Sequence, residues 1–388
     1  MGKESRGCLP GTDIMSVTIS QQKSILVLVE DYPNNNGGVS MMFVHTRNLF
    51  YKEKGFKVKV LCFRAKSKYI FEGIEVIPEK DYDREEHFDL LLLHAANIKH
   101  HYVFLRKNAH RFSKLVFFFH GHEVLKTNRV YPQPYYYVSR KKAKEQLQDC
   151  YDSLKLAIWR QYLPKLADKS WFIFVSRWMK EEFYKWTGIS PDVIESHSRV
   201  IYNGVGQLFE DNHYDDKSDK EFDFVTIRSN LDGSKYALDL VNEWAGNTPD
   251  GRFLVIGKGS FFNYYDKADN IVWLDRTLNH IEILSYLNKS KYALMPTRTD
   301  AQGLMMCEMA AFGIPVITSD IPVSHEVFDG FHNAFFVPNE TGVSLDDFLH
   351  RETRCVKDDR FFRRKTMNEE YELLMNLFEG RLGEKGQE

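Results

Sequence analysis

Short, fully apolar runs alternate along the chain with longer stretches of helical period. Residues 25–30 form the first run, the polar turn from Asp31 to Gly38 follows, and helical spacing then holds from 39 to 54, where Gly55 ends it. A second run at 56–63 completes a strand, helix, strand unit, the building block of a parallel sheet. Further buried strands are predicted at 89–93, 115–119, 171–175 and 198–201, with helices clearest at 141–166 and 177–186. Together these make one doubly wound α/β domain.

Residues 207–221, QLFEDNHYDDKSDKE, are polar and acidic and have the composition of a linker. Beyond them the alternation resumes, with strands predicted at 222–227, 253–256, 271–274, 292–295, 315–318 and 334–337, and helices at 235–244, 281–287 and 304–312. The fold class expected is therefore α/β, with two Rossmann-like doubly wound domains, 15–206 and 207–358, facing each other across a cleft. A last helix, at about 360–378 within the segment 359–388, is long enough to pack back toward the first domain. Residues 1–14 read as a polar leader ahead of Met15. Ligands of such sheets sit at the carboxyl ends of the strands, so the loops that follow strands carry the function.

Two domains suit a chain of 388 residues, and 14% aromatic content, with 29 Phe and 20 Tyr, is enough to fill two cores. Hydrophobic residues at 43% and charged residues at 27% exclude long disorder and a coiled-coil rod. Five cysteines, an odd set without a CxxC pair, argue against a disulfide framework or a zinc site and for a reducing, cytoplasmic setting. The apolar runs are too short to span a membrane.

The net charge of −2 hides an asymmetry: residues 1–200 hold 32 Lys plus Arg against 22 Asp plus Glu, and the remainder 20 against 32. Residues 101–200 alone carry 18 against 9. This basic stretch, with Tyr135 to Tyr137 close to Arg140, Lys141, Lys142 and Lys144, suggests peripheral contact with an anionic membrane surface, against the alternative of solvated helix faces. No nucleic-acid partner is expected.

The most specific stretch is residues 295–328, MPTRTDAQGLMMCEMAAFGIPVITSDIPVSHEVF. Gly303 offers a turn and Leu304 starts a helix, whose N-terminus attracts an anion. Asp300 and Glu308, eight apart, can accept hydrogen bonds from hydroxyls. Phosphate plus polyol is the chemistry of a nucleotide sugar.

This stretch resembles the donor site of the retaining glycosyltransferases of GT-B fold, family 4. Glu308, Ala310, Gly313, Pro315, Val316 and Glu326 match the family pattern, whereas Asp300 stands where the family has a first Glu one methylene longer. The resemblance runs over about residues 24–340. EDYPNNNGGVS is similar to the family's glycine loop, which implies Gly37 and Gly38 toward the diphosphate and acceptor. FFFHGHE is similar to the strand end that places His120 beside the donor sugar, and VIYNGV to the segment that contains Asn203. IRSNLDGSK matches the cations that clamp the diphosphate, Arg228 and Lys235, and VIGKG the glycines Gly257 and Gly259.

The resemblance implies a retaining, metal-independent hexosyltransferase for which the nucleotide sugar is a substrate and no cofactor is required. A UDP-sugar is the expected donor in preference to a GDP-sugar. The acceptor is a glycan or lipid-linked hydroxyl, in cell-surface polysaccharide, lipopolysaccharide or glycolipid synthesis. The catalytic set implied is His120, Arg228, Lys235, Asp300 and Glu308. Donor contacts are implied for Gly37, Gly38, Asn203, Gly257, Gly259, Gly303, Leu304, Glu308 and Glu326. His120 and His122 have no third ligand nearby for a metal, and the acidic DYD at 81–83 lies in a polar loop. The rival reading, suggested by Asp300, is a catalytically silent subunit of the same fold that binds a sugar or a partner protein.

Overall fold

The computed structural model describes residues 22–38, 40–138 and 142–381. Its first domain is built on an eight-stranded sheet: β1 (Ser24–Val29), β2 (Lys57–Cys62), β3 (Tyr69–Phe71), β4 (Ile74–Ile77), β5 (Leu90–His94), β6 (Lys114–Phe119), β7 (Ser170–Phe174) and β8 (Ser198–Val200). The order across the sheet is β3-β4-β2-β1-β5-β6-β7-β8, parallel throughout except for the β3/β4 pair. A parallel sheet is covered on both faces, so its central strands are apolar at every position. All six residues of β1 and all five of β5 are buried.

The second domain has six parallel strands in the order β11-β10-β9-β12-β13-β14. These are β9 (Phe222–Asn230), β10 (Phe253–Lys258), β11 (Ile271–Leu274), β12 (Ser290–Met295), β13 (Val316–Ser319) and β14 (Ala334–Val337).

Each predicted strand is present within a few residues. The β3/β4 hairpin and the helix His101–Asn108 were not predicted, because the strands are three and four residues long and the helix's apolar residues, Tyr102 to Leu105, are consecutive and show no helical period. The helix predicted at 235–244 is shorter, Leu238–Gly246. Ala237 has φ 51°, which breaks the helical path and leaves Ser234–Tyr236 as a separate turn. The helix predicted at 141–166 is helical over Lys142–Tyr162 and tightens at Leu163–Lys169, where Pro164 has no N–H to continue the ladder. Lys141 lies outside the described residues.

The polar stretch 207–221 does not hang free as a linker. Gln207–Asp211 is helical, Phe209 and Tyr214 are buried in the core of the second domain, and the Tyr214 hydroxyl donates to the Ser290 carbonyl at 2.9 Å.

The chain crosses between domains at 201–206 and returns at about 361, the two passages lying side by side: the Val205 N–H donates to the Phe361 carbonyl at 2.9 Å. After the return, the helix Arg363–Phe378 covers the first domain. Its Met367, Leu373, Leu374 and Leu377 pack with Ile25, Val27 and Val60. Within that contact Arg47 and Glu370, each 1% exposed, are paired at 3.0 Å, and Glu370 also accepts from the Tyr51 hydroxyl. A third connection is a strap that follows Tyr131. Its Tyr135 is buried in the core of the second domain with Leu231 and Phe261.

Candidate active site

The carboxyl ends of β9 and β12 enclose a cavity of about 240 Å³. Arg228, Lys235, Asp300, Gly303 and Leu304, all singled out from the sequence, line it together. Arg228 is only 8% exposed. It donates to the Pro296 carbonyl at 2.8 Å and lies over the Tyr236 ring, while its Nε has no partner. Among the described residues no carboxylate lies within ion-pair distance of it. Burial draws its guanidinium down to about 10, and the Tyr236 ring and Asp300 only partly offset that loss. A buried, unpaired cation on a cavity wall is a site for an anion.

Lys235 stands on the Ser234–Tyr236 turn and meets Asp300 across the cavity at 3.0 Å. The turn is held from β12's end: the Arg298 N–H donates to the Lys235 carbonyl at 2.8 Å, and the Thr297 hydroxyl to the same oxygen at 3.2 Å. Gly303, with φ 74°, starts the Leu304–Phe312 helix at the cavity wall, where first-turn amides lack intrahelical acceptors. Gly257 allows the end of β10 to lie against the Arg228 carbonyl, a position that a Cβ would occupy, and Gly259 packs on Leu231 and Asp232. These two glycines shape the turn beyond Arg228 and are not on the cavity wall.

Glu308 lies one helical turn beyond Leu304, off the wall, and accepts from the Gly206 N–H of the domain crossing at 3.3 Å. Burial pushes its carboxyl up to about 7, against the pull of that single N–H. Asn203 is held by the Gln302 side chain, which accepts from its N–H at 2.7 Å and donates to its carbonyl at 3.0 Å. Asn203 is therefore tied to the loop that carries Asp300, through backbone.

Glu326 is placed elsewhere, as an interdomain clasp. Its two oxygens accept from the N–H groups of Arg177 and Trp178, at the start of the Arg177–Thr187 helix, and from the Tyr202 hydroxyl. A carboxylate there complements the helix N-terminus, and its oxygens are already engaged. Gly37 and Gly38 also stay off the cavity that Arg228 and Lys235 line. They close a turn with Asn34 beside a second cavity of about 570 Å³ in the first domain, lined by Asp31, Tyr32, Asn34, Arg64, Ser67 and Tyr69.

His120 follows β6 in the first domain. Its Nε2 lies 3.2 Å from His94 Nδ1, and its backbone N–H donates to Glu123. Burial, then the nearby Arg47 charge, holds it well below the usual imidazole range, so the ring is neutral. Tyr131 packs on the core of the first domain against Gly121, close enough to feel the charges of Glu123, Asp300 and Tyr236. Ala301, next to Asp300, packs on the core of the first domain, which brings the two loops face to face.

Sequence reasoning missed Tyr236, Thr297 and the role of Gln302. Only the adjacency of Tyr236 to Lys235 could have signalled the first. It also read Tyr135 to Tyr137 as membrane-facing, which the structure corrects. Tyr135 is buried, and Tyr137 stacks on Tyr264 with centroids 4.3 Å apart. Tyr136 is 70% exposed and donates to the Tyr264 carbonyl. Arg140 and Lys141 lie outside the described residues. Among the described residues no group of three His, Cys, Asp or Glu is placed to hold a metal, and no helix is long and apolar enough to cross a membrane.

Residues 224–350 match the family model of the glycosyl transferases group 1. Those residues make up about a third of the chain. A 102-residue stretch is 30% identical to the O-antigen biosynthesis glycosyltransferase WclY of Escherichia coli, over 24% of this chain and 29% of that relative's length. Among solved structures the chain is similar to sucrose-phosphate synthase from Thermosynechococcus elongatus, with TM-score 0.68, 13% identity, and coverage of 92% of this chain and 100% of that one. A glycosyltransferase from Rickettsia africae matches at TM-score 0.62 and 14% identity, over 92% and 99%. Anabaena HepE, solved with UDP and glucose, matches at 0.60 and 14%, over 92% and 100%. The fold is GT-B, and the cavity at β9 and β12 lies in its second domain, within the matched residues.

Proposed function

We propose that this protein is a retaining glycosyltransferase that moves a sugar from a nucleoside diphosphate sugar to a glycan or lipid-linked acceptor. The observation that carries the reading is the unpaired, buried Arg228 beside Lys235 and the start of the Leu304–Phe312 helix. Two cations and a set of first-turn amides converge where a diphosphate would take on charge as it leaves. Asp300 then accepts from donor-sugar hydroxyls, and Glu308, one helical turn past the wall beside Gly206, from a ribose that extends in that direction. A notch beside Arg228, walled by Ile227, Ile256, Leu278 and Ile283 together with the polar Arg276 and Thr277, suits the apolar faces and polar edges of a base. UDP is favoured, in keeping with the UDP complex of Anabaena HepE.

In this reading the acceptor oxygen attacks the anomeric carbon from the side of the leaving group. The bond from that carbon to the phosphate oxygen breaks, and the leaving diphosphate takes the acceptor proton. His120, neutral and at the cleft, lies beside the sugar. The charge on the leaving group is met by Arg228 and Lys235, so transfer is metal-independent. The likeness to WclY favours an acceptor in O-antigen or related surface glycan synthesis, and the odd cysteine set without a CxxC pair favours the cytoplasm. Attachment to an anionic membrane surface rests on cations of residues 101–200 such as Arg106, Lys107 and Arg111, without the tyrosines.

The test is incubation with UDP-, GDP- and ADP-sugars, with and without lipid-linked acceptors, while released nucleoside diphosphate is measured. Release confirms an active transferase. Binding without release from any donor supports the silent subunit instead. A donor held at 100 times its Kd should add about 2.7 kcal/mol to stability.

A further inference from the structure

The strap that leaves the first domain after Tyr131 reaches the donor cavity through one continuous chain of polar contacts. The Tyr135 hydroxyl donates to Asp239 Oδ1 at 2.9 Å and accepts from the Asp239 N–H at 3.4 Å. Asp239, in the first turn of the Leu238–Gly246 helix, takes both terminal nitrogens of Arg298, at 2.9 and 2.7 Å. Arg298 in turn donates from Nη1 to the Ser234 carbonyl at 2.9 Å and from its backbone N–H to the Lys235 carbonyl at 2.8 Å. Every link from Tyr135 to the turn that carries Lys235 is thus a hydrogen bond, and the Arg298 to Asp239 link is bidentate, which fixes orientation as well as distance. The Lys235 amine projects from a turn of three residues, so its position depends on how that turn is held.

We propose that Tyr135 of the first domain is a positioning residue for Lys235, acting through Asp239 and Arg298, so that the docked strap holds in place the lysine that meets the donor diphosphate. The proposal rests on the donor-site reading above. It gives the loop between His120 and the second domain a role in donor affinity, without contact to the donor. The neighbouring Tyr137 supplies an internal control. It belongs to the same strap, and its hydroxyl donates to Asp232 at 2.6 Å, a carboxylate two residues ahead of the Lys235 turn whose side chain holds the Ser260 N–H rather than the carbonyls of that turn.

The experiment is titration of UDP and of GDP into wild type, Tyr135→Phe and Tyr137→Phe, with Tm recorded for each. The expected result is that Tyr135→Phe weakens diphosphate binding by about fivefold while Tyr137→Phe stays within about twofold, at similar Tm. In a Lys235→Met background the effect of Tyr135→Phe shrinks to within about twofold, since the amine to be placed is gone. Equal losses in the two tyrosine variants, no loss in Tyr135→Phe, or an undiminished loss in the Lys235→Met background each overturn the relay. Failure of the wild type to bind either diphosphate overturns the donor-site reading and the relay with it, which separates that failure from the others.

Discussion

Lys235 Nζ and Asp300 Oδ2 lie 3.0 Å apart across the donor cavity, so the cation expected to meet a diphosphate is held by the acid expected to meet the sugar. A diphosphate must compete with Asp300 for the lysine. Asp300→Asn is therefore expected to tighten UDP or GDP binding by about threefold or more, while transfer falls. Calorimetric titration beside a turnover assay checks it, and weaker diphosphate binding in the variant contradicts it.

Arg228 is buried, and among the described residues no carboxylate pairs with it, an arrangement that costs stability unless an anion arrives. Arg228→Met should keep or raise the Tm and lower transfer on the order of a hundredfold. A destabilised variant with normal turnover would show that the guanidinium serves the core instead.

The raised Glu308 value gives a pH dependence whose sign is fixed. The folded protein favours the protonated acid, so this contribution to stability is complete below the ordinary carboxylate range and is lost as pH rises to about 7. Glu308→Gln should flatten the fall in Tm between those limits. Identical melting profiles for variant and wild type would rule this out.

Arg47 and Glu370 join the Met42–Glu53 helix to the helix Arg363–Phe378 as a buried pair. Removing one partner, as in Glu370→Ala, is expected to cost about 3 to 5 kcal/mol, and replacing both by Met and Leu to recover most of it. Denaturant unfolding measures both.

Transfer is expected to persist in EDTA, because Arg228 and Lys235 supply the positive charge that a divalent ion supplies elsewhere. Restoration of activity only by magnesium or manganese would mean that the diphosphate is held differently.

The cavity was legible in the sequence because its residues follow strand ends in a fixed order: Arg228 at the end of β9, and Asp300 and Gly303 after β12. Long apolar strands announce themselves, whereas β3, with three residues, has no room for a period. Glu326 was misplaced for a physical reason. A carboxylate near a glycosyl-binding pattern and one that caps a helix in the other domain look alike until the neighbour is seen. Tyr135 to Tyr137 beside cations read as interfacial rings, and no local pattern tells that a loop will bury one of them in another domain's core. The Tyr135 to Asp239 contact spans 104 positions, beyond the reach of any periodicity.

The adjacent passages at Val205 and Phe361 make the second domain an insertion in the topological sense: it enters and leaves through one narrow neck. The first domain is consequently discontinuous in sequence, because the helix Arg363–Phe378 supplies part of its cover. A fragment cut at residue 206 would expose Ile25's neighbours to water and aggregate. A chain spliced across the neck, from near Gly204 to near Arg363, whose Cα lies beside Gly204, would keep that cover and fold as a free-standing first domain.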